Sequence, residues 1–202
     1  MPILQVTDGL AIFRFVLLPA EVPILLERHR TKYSGSADIE EAANRLKAYG
    51  FAENASVNFV GDVYNWSRMR RNADRVQKAS GFEIAAKLRA ASQQIDDGDE
   101  PKAIQTLCKI PHLGMSYASK IARFLDPAKC VILDSVIRER IGYPNDIDGY
   151  AAFLRDCRDA LTLLKASPVL DPCWRETLRV SDVEAAFFMK AKENRNVRPQ
   201  HS

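Results

Sequence analysis

The chain has 202 residues, 47% of them hydrophobic and 27% charged, and a formal net charge of +3. That length supports one well-buried core, the composition is that of a soluble globular protein, and the mild positive balance permits a nucleic-acid partner without requiring one. The four cysteines, at 108, 130, 157 and 173, form no C-x-x-C pair, which argues against a zinc site or an iron–sulfur cluster and for small buried hydrophobes in a reducing cytosol. The apolar run from Leu10 to Leu26 is broken by Arg14, Pro19, Glu21 and Pro23 and lacks a basic leader. It is too interrupted to span a bilayer, so a cytoplasmic protein with no membrane partner is expected.

Residues 1–7 read as a short strand or an extended lead-in. Asp8 is placed to cap a first helix that ends before Pro19, and a second helix runs from about Ala20 to Tyr33 with Pro23 in its first turn. After a loop to Ser36, the stretch Ala37 to Tyr49 is amphipathic. Ile39, Ala42, Ala43, Leu46 and Tyr49 share one face and Gly50 stops it. Residues 57–78 read as partly helical from Phe59, Val60, Val63 and Tyr64, with Gly61 weakening the pattern. Ile84, Ala85, Leu88 and Ile95 mark a helix from about Phe82 that closes in the acidic turn Asp96 to Glu100, and Pro101 opens the next one.

Beyond Asp134 a short helix ends at Gly142. Tyr150, Phe153, Leu154, Cys157, Leu161 and Leu164 mark a long amphipathic helix. Ser181 and Glu184 have the spacing of a capping box, predicted to open a last helix carrying Val183 and Phe187. Polar residues from about Asn194 are expected to fray. There is no repeat and no convincing strand alternation. The predicted fold class is therefore all-α, a single helical domain; where it divides into two lobes, they part near residues 96–100, and the groove between them is the natural site.

The densest chemical signal lies between Leu107 and Asp134. Pro111 ends one helix, Gly114 permits a backbone turn closed to bulkier residues, and Ala118 lets two helices approach. Leu107, Ile110, Leu113 and Ile121 supply a shared core. The consequence is a set of free backbone N–H groups at the start of the second helix, at the positive end of its dipole, which binds phosphate without reading sequence. Pro111, His112, Leu113, Gly114 and Ser116 make up this candidate phosphate-binding hairpin, and Lys109 and Lys120 add charge nearby. The same pattern also reads as an ordinary helical hairpin packed in a core.

The hairpin is followed by an aspartate at 134 − 114 = 20 residues, in the run Val131, Ile132, Leu133, Asp134. This combination resembles the helix-hairpin-helix DNA glycosylase superfamily, which includes endonuclease III and the adenine-mismatch glycosylase, over roughly residues 100–142. The resemblance implies a two-lobed helical fold and cleavage of the N-glycosidic bond of a damaged or mismatched base in double-stranded DNA, as in base-excision repair. Asp134 would be the catalytic carboxylate that stabilises an oxocarbenium-like transition state. Bifunctional members carry a nucleophilic lysine two residues after the hairpin glycine. That position is Ser116, so the implied chemistry is monofunctional, with water as the nucleophile. Lys120, one helical turn further on, is expected to contact phosphate or to be solvated. The family has glycine where His112 stands, and the cluster-ligating cysteines of endonuclease III are absent, so no iron–sulfur cluster, no metal and no other cofactor is expected. Read from the residues alone, Asp134 also serves as the N-cap of the helix that follows.

Between residues 66 and 78 the chain holds five cations and one acid. This segment reads either as a second DNA contact through Trp66, Arg68, Arg70 and Arg71, or as a solvated arginine face with Trp66 and Tyr64 in the core. Arg138 and Arg140 stand just after Asp134. The expected partner is duplex DNA, bound by a monomer. Two rival readings are a non-catalytic helix-hairpin-helix DNA-binding protein and a helical protein–protein adaptor.

Overall fold

A computed structural model describes residues 4–6, 9–12, 15–67, 73–76 and 79–193. The fold is all-α, preceded by a small antiparallel ribbon of β1 (Leu4–Val6), β2 (Gly9–Ile12) and β3 (Phe15–Leu17) in the order β1-β2-β3. Leu4 faces Ala11, and Leu10 faces Leu17. The ribbon replaces the helix predicted before Pro19, whose proposed cap, Asp8, lies outside the described residues. Leu, Ile, Phe and Val dominate this stretch, and side chains in a strand alternate between faces. Accordingly Leu17 is fully buried while Val16 is exposed.

A single 3-10 turn at Pro19–Glu21 leads into α1 (Val22–Lys32), with Pro23 in its first turn as predicted. In α2 (Ser36–Ala48) Ile39, Ala43 and Leu46 are buried, but Tyr49 is 80% exposed and Phe51 takes the core position instead. The cause is the helix stop. Gly50 adopts φ 71°, its N–H donates to Lys47 O, and the Phe51 N–H donates to Leu46 O at 2.9 Å. This pair of bonds folds the chain back and carries Phe51 under the helix end.

Next come α3 (Glu53–Trp66), the single turn α4 (Ala73–Val76), α5 (Gly81–Asp96) and α6 (Glu100–Leu107). Asp99 caps α6 by accepting from Lys102 N. Then follow α7 (Met115–Leu125), α8 (Ser135–Ile141), α9 (Ile147–Ala166), α10 (Pro172–Thr177) and α11 (Val180–Glu193).

One continuous apolar core runs from Leu17 to Ala191. Around it α5 packs on α3 and α6, α6 on α7 and α9, and α11 on α1, α8 and α9. Ion pairs tie distant segments together. Glu40 of α2 bridges Arg123 of α7 and Arg179 just before α11, each at 2.7 Å, and Lys190 of α11 reaches Glu21 at 2.6 Å. Cys130 and Cys157 are buried, Cys108 is half-buried and Cys173 is exposed, all as free thiols. No described helix is long and apolar enough to cross a membrane.

Ser181 and Glu184 do not form the predicted capping box. Helix α11 begins at Val180, so both residues lie inside it, and both are buried. Asp182 holds the helix start instead, accepting from Arg179 N at 2.9 Å.

Candidate active site

The hairpin turns at Ile110–Leu113, closed by Leu113 N–H donating to Ile110 O at 3.1 Å. Pro111 stands at the second position of this turn and His112, at φ 65°, at the third. Proline followed by a positive φ is the type II signature, and glycine or asparagine is the usual occupant of the third position. The left-handed residue is therefore His112. Gly114 has φ −85° and ψ 172°, an extended conformation open to any residue, so the conformational role predicted for it falls to its neighbour. Space does not require glycine there either, since a Cβ would meet nothing within 4 Å.

Gly114 O accepts from the N–H groups of Tyr117 and Ala118. The N–H groups of Met115 and Ser116 have no intrahelical acceptor, because they lie in the first turn of α7. Pro111, His112 and Gly114 are exposed, as is Lys109, whereas Leu113 is buried and pins the turn to the core. The hairpin thus presents backbone donors and open space on its outer side.

The twenty residues from Gly114 to Asp134 are a helix out and a run of irregular chain back. Helix α7 has 11 residues, about 16 Å at about 1.5 Å per residue. Residues 130–134 return at a reach of about 3.3 Å each, so they cover about the same distance. Ser119 fastens the two runs: its hydroxyl donates to Ser116 O at 3.0 Å and accepts from Leu133 N–H at 3.1 Å. Asp134 is thereby set beside the first turns of α7. Its Oδ1 accepts from Ile137 N–H at 3.1 Å and caps α8. Asp134 is half-buried and also faces a cleft, so cap and site are one residue.

The cleft has a volume of about 190 Å³. Lys120, Asp134 and Glu184 bring ionisable groups to it, and His29, Tyr33, Trp66 and Phe188 form its aromatic walls, with Lys192 among its lining residues. Tyr33 lies 5.4 Å from Trp66 and 5.7 Å from Phe188 between ring centres, and His29 stacks on Tyr33 at 4.9 Å. Trp66 is fixed by its Nε1–H donating to Ser36 Oγ at 2.9 Å and by edge contact with Phe124.

Lys120 is not on a solvated face. It is 6% exposed, and its Nζ donates to Ser116 Oγ at 2.9 Å and lies 4.9 Å from the Tyr117 ring. Burial lowers its pKa, against the opposing charges of Asp134 and Glu184. Its amine therefore reaches back to the side chain of Ser116.

Glu184 is 4% exposed, and burial, reinforced by the Asp134 charge, pushes its carboxyl up to about 8. His29 moves the other way, to about 4, through burial and the Arg123 guanidinium. At neutral pH the cleft therefore holds a protonated carboxyl and a neutral imidazole.

Arg68, Arg70 and Arg71 lie outside the described residues. Arg138 is half-buried and Arg140 exposed on α8. Sequence reasoning missed His29, Tyr33, Glu184, Phe188 and Lys192. For three of them a signal exists: Glu184, Phe188 and Lys192 recur every four residues, one face of a helix, and Glu184 is an acid inside an apolar run. Among the described residues no group of three or more His, Cys, Asp or Glu side chains converges as a metal site requires. Comparison of the chain with protein-family models, with curated proteins and with solved structures returned no match.

Proposed function

We propose that the protein is a DNA N-glycosylase that binds duplex DNA through the hairpin and hydrolyses the N-glycosidic bond of a damaged or mismatched base. The observation that carries this reading is the placement of Asp134: a carboxylate that opens a helix, faces an aromatic-walled cleft, and lies beside the first turns of the helix whose exposed start can receive a phosphate. A duplex base enters such a cleft only when flipped from the stack. Water attacks the sugar's anomeric carbon as the bond to the base nitrogen breaks. The base leaves with a proton, and Asp134 stabilises the positive charge that develops on the sugar.

The test is Asp134→Asn. Asparagine keeps the helix cap, so the variant is expected to fold and to bind duplex with near wild-type affinity. Base release from a panel of damaged duplexes should fall by about 10²–10³-fold. A wild-type protein that releases no base from a broad panel, yet binds duplex with salt-sensitive affinity, would be a non-catalytic hairpin DNA-binding protein instead. Salt-insensitive or absent duplex binding would leave the adaptor reading.

The burial of Lys120 favours a second version of the same chemistry. Its amine, made less basic by desolvation and held at Ser116 Oγ, attacks the anomeric carbon in place of water and forms a Schiff base after ring opening. Borohydride trapping separates the two: a covalent adduct lost in Lys120→Ala supports the amine, and no adduct supports water.

A further inference from the structure

The walls of the cleft carry information about which base fits. We infer that the cleft takes a neutral, carbonyl-bearing base, of the oxidised or deaminated kind, and rejects a positively charged alkylated base, with Lys192 as the specificity-determining residue. This rests on the glycosylase reading and adds the substrate class to it.

Size sets the first limit. A cleft of about 190 Å³ is smaller than the roughly 300–1,000 Å³ that accommodates drug-sized ligands, so it admits one ring system. The walls are flat, made by Tyr33, Trp66 and Phe188. An aromatic wall alone would favour a cationic ring, because the ring faces attract positive charge. Here a cation already occupies them. Lys192 Nζ lies 5.4 Å from the Tyr33 ring centre and 5.2 Å from that of Phe188, and it is held by a hydrogen bond to Tyr33 Oη at 2.8 Å.

The charges facing the cleft come from four elements. Helix α7 gives Lys120, the start of α8 gives Asp134, and α11 gives Glu184 and Lys192, while α1 gives His29. With Glu184 protonated and His29 neutral, Asp134 is the carboxylate left to face the Lys192 ammonium and the Lys120 amine. A cationic base entering there meets like charge in a poorly solvated space, which disfavours it. A carbonyl oxygen meets donors instead: the N–H groups of Lys192 and Lys120 and the Glu184 O–H. Oxidised and deaminated bases differ from normal ones by a carbonyl where an amine or C–H stood, and a site built from donors discriminates on that difference.

The experiment has a binding arm and a chemical arm. Trp66 lines the cleft and Trp174 does not, so Trp174→Phe leaves a single reporter in it. Quenching of Trp66 fluorescence at pH 7 by inosine, which is neutral and carbonyl-bearing, is expected at concentrations at least tenfold lower than by 1-methyladenosine, which is cationic. Base release under single-turnover conditions should favour hypoxanthine and 8-oxoguanine duplexes over a 7-methylguanine duplex in the same order. Lys192→Met, which keeps the stem and removes the charge, should shrink the preference at least tenfold, and Lys192→Arg should retain it.

Equal or tighter binding of the cationic nucleoside, or a preference unchanged in Lys192→Met, overturns the inference while base release keeps the glycosylase reading standing. Selective nucleoside binding with no base release from any duplex upholds the pocket and overturns the glycosylase reading. Neither binding nor release overturns both.

Discussion

Glu184 shows how strongly a single side chain can be governed by its surroundings. An isolated glutamate in water is ionised at neutral pH; this one, buried beside Asp134, is raised to about 8. Between its ordinary value of 4.5 and about 8 the folded state binds more protons than the unfolded state, so its contribution to stability is full below 4.5 and is lost as pH rises through 8. Glu184→Gln is therefore expected to flatten the fall in thermal midpoint from pH 5 to pH 9 and to leave the variant the more stable at the alkaline end. His29 has the opposite sign. Its pKa is lowered from 6.5 to about 4, so its contribution is present above 6.5 and lost as pH falls toward 4. His29→Gln should flatten the acid limb of the same curve. At His112 the issue is backbone strain: a non-glycine residue held at φ 65° costs about 1–2 kcal/mol. His112→Gly should raise the thermal midpoint by several degrees, at about 2–4 °C per kcal/mol for a chain of this size.

At the scale of elements, the unit that matters is α7 with its return run, and Ser119 is the clasp. Its hydroxyl is the acceptor for the buried Leu133 N–H and a donor to Ser116 O. Ser119→Ala leaves that N–H unpaired in the core, an expected loss of about 1–3 kcal/mol. Because Leu133 precedes Asp134, the variant should also lose base release beyond what its lowered stability explains, measured well below its unfolding midpoint. The sequence displayed the helices of this unit through Pro111, Ala118 and the apolar spacing, and the 20-residue interval to Asp134. It did not display the clasp, since a serine in a helix carries no mark of what its hydroxyl will meet. The strands at Gly9–Ile12 and Phe15–Leu17 were read as helix because short apolar runs fit both periods, while Leu4–Val6 falls in the stretch read as a short strand or lead-in. The capping box at Ser181 was misread because its spacing also fits two successive turns inside a helix.

Over the whole molecule, charge is arranged in two ways. Inside, Glu40 holds together Arg123 and Arg179, joining α2, α7 and the start of α11. Arg123 is 5% exposed, so Glu40→Ala strands a buried guanidinium. The expected loss is about 3–5 kcal/mol, measured by urea unfolding. Outside, Lys109 and the hairpin donors face solvent. Duplex affinity is expected to weaken steeply with salt, with Lys109→Ala reducing the slope of log K against log salt by about one.

The sequence by itself determined the helical class, most helix positions and the pairing of the hairpin with Asp134. Those properties follow from local periodicity, from proline and glycine, and from chain length measured along a helix and back. Only the tertiary structure decided what surrounds Asp134. Helices α1, α3, α7 and α11 converge on it from positions more than a hundred residues apart, and burial then pushes the pKa of Glu184 up and those of His29 and Lys120 down. Desolvation depends on every neighbour at once, and no stretch of sequence contains all of those neighbours.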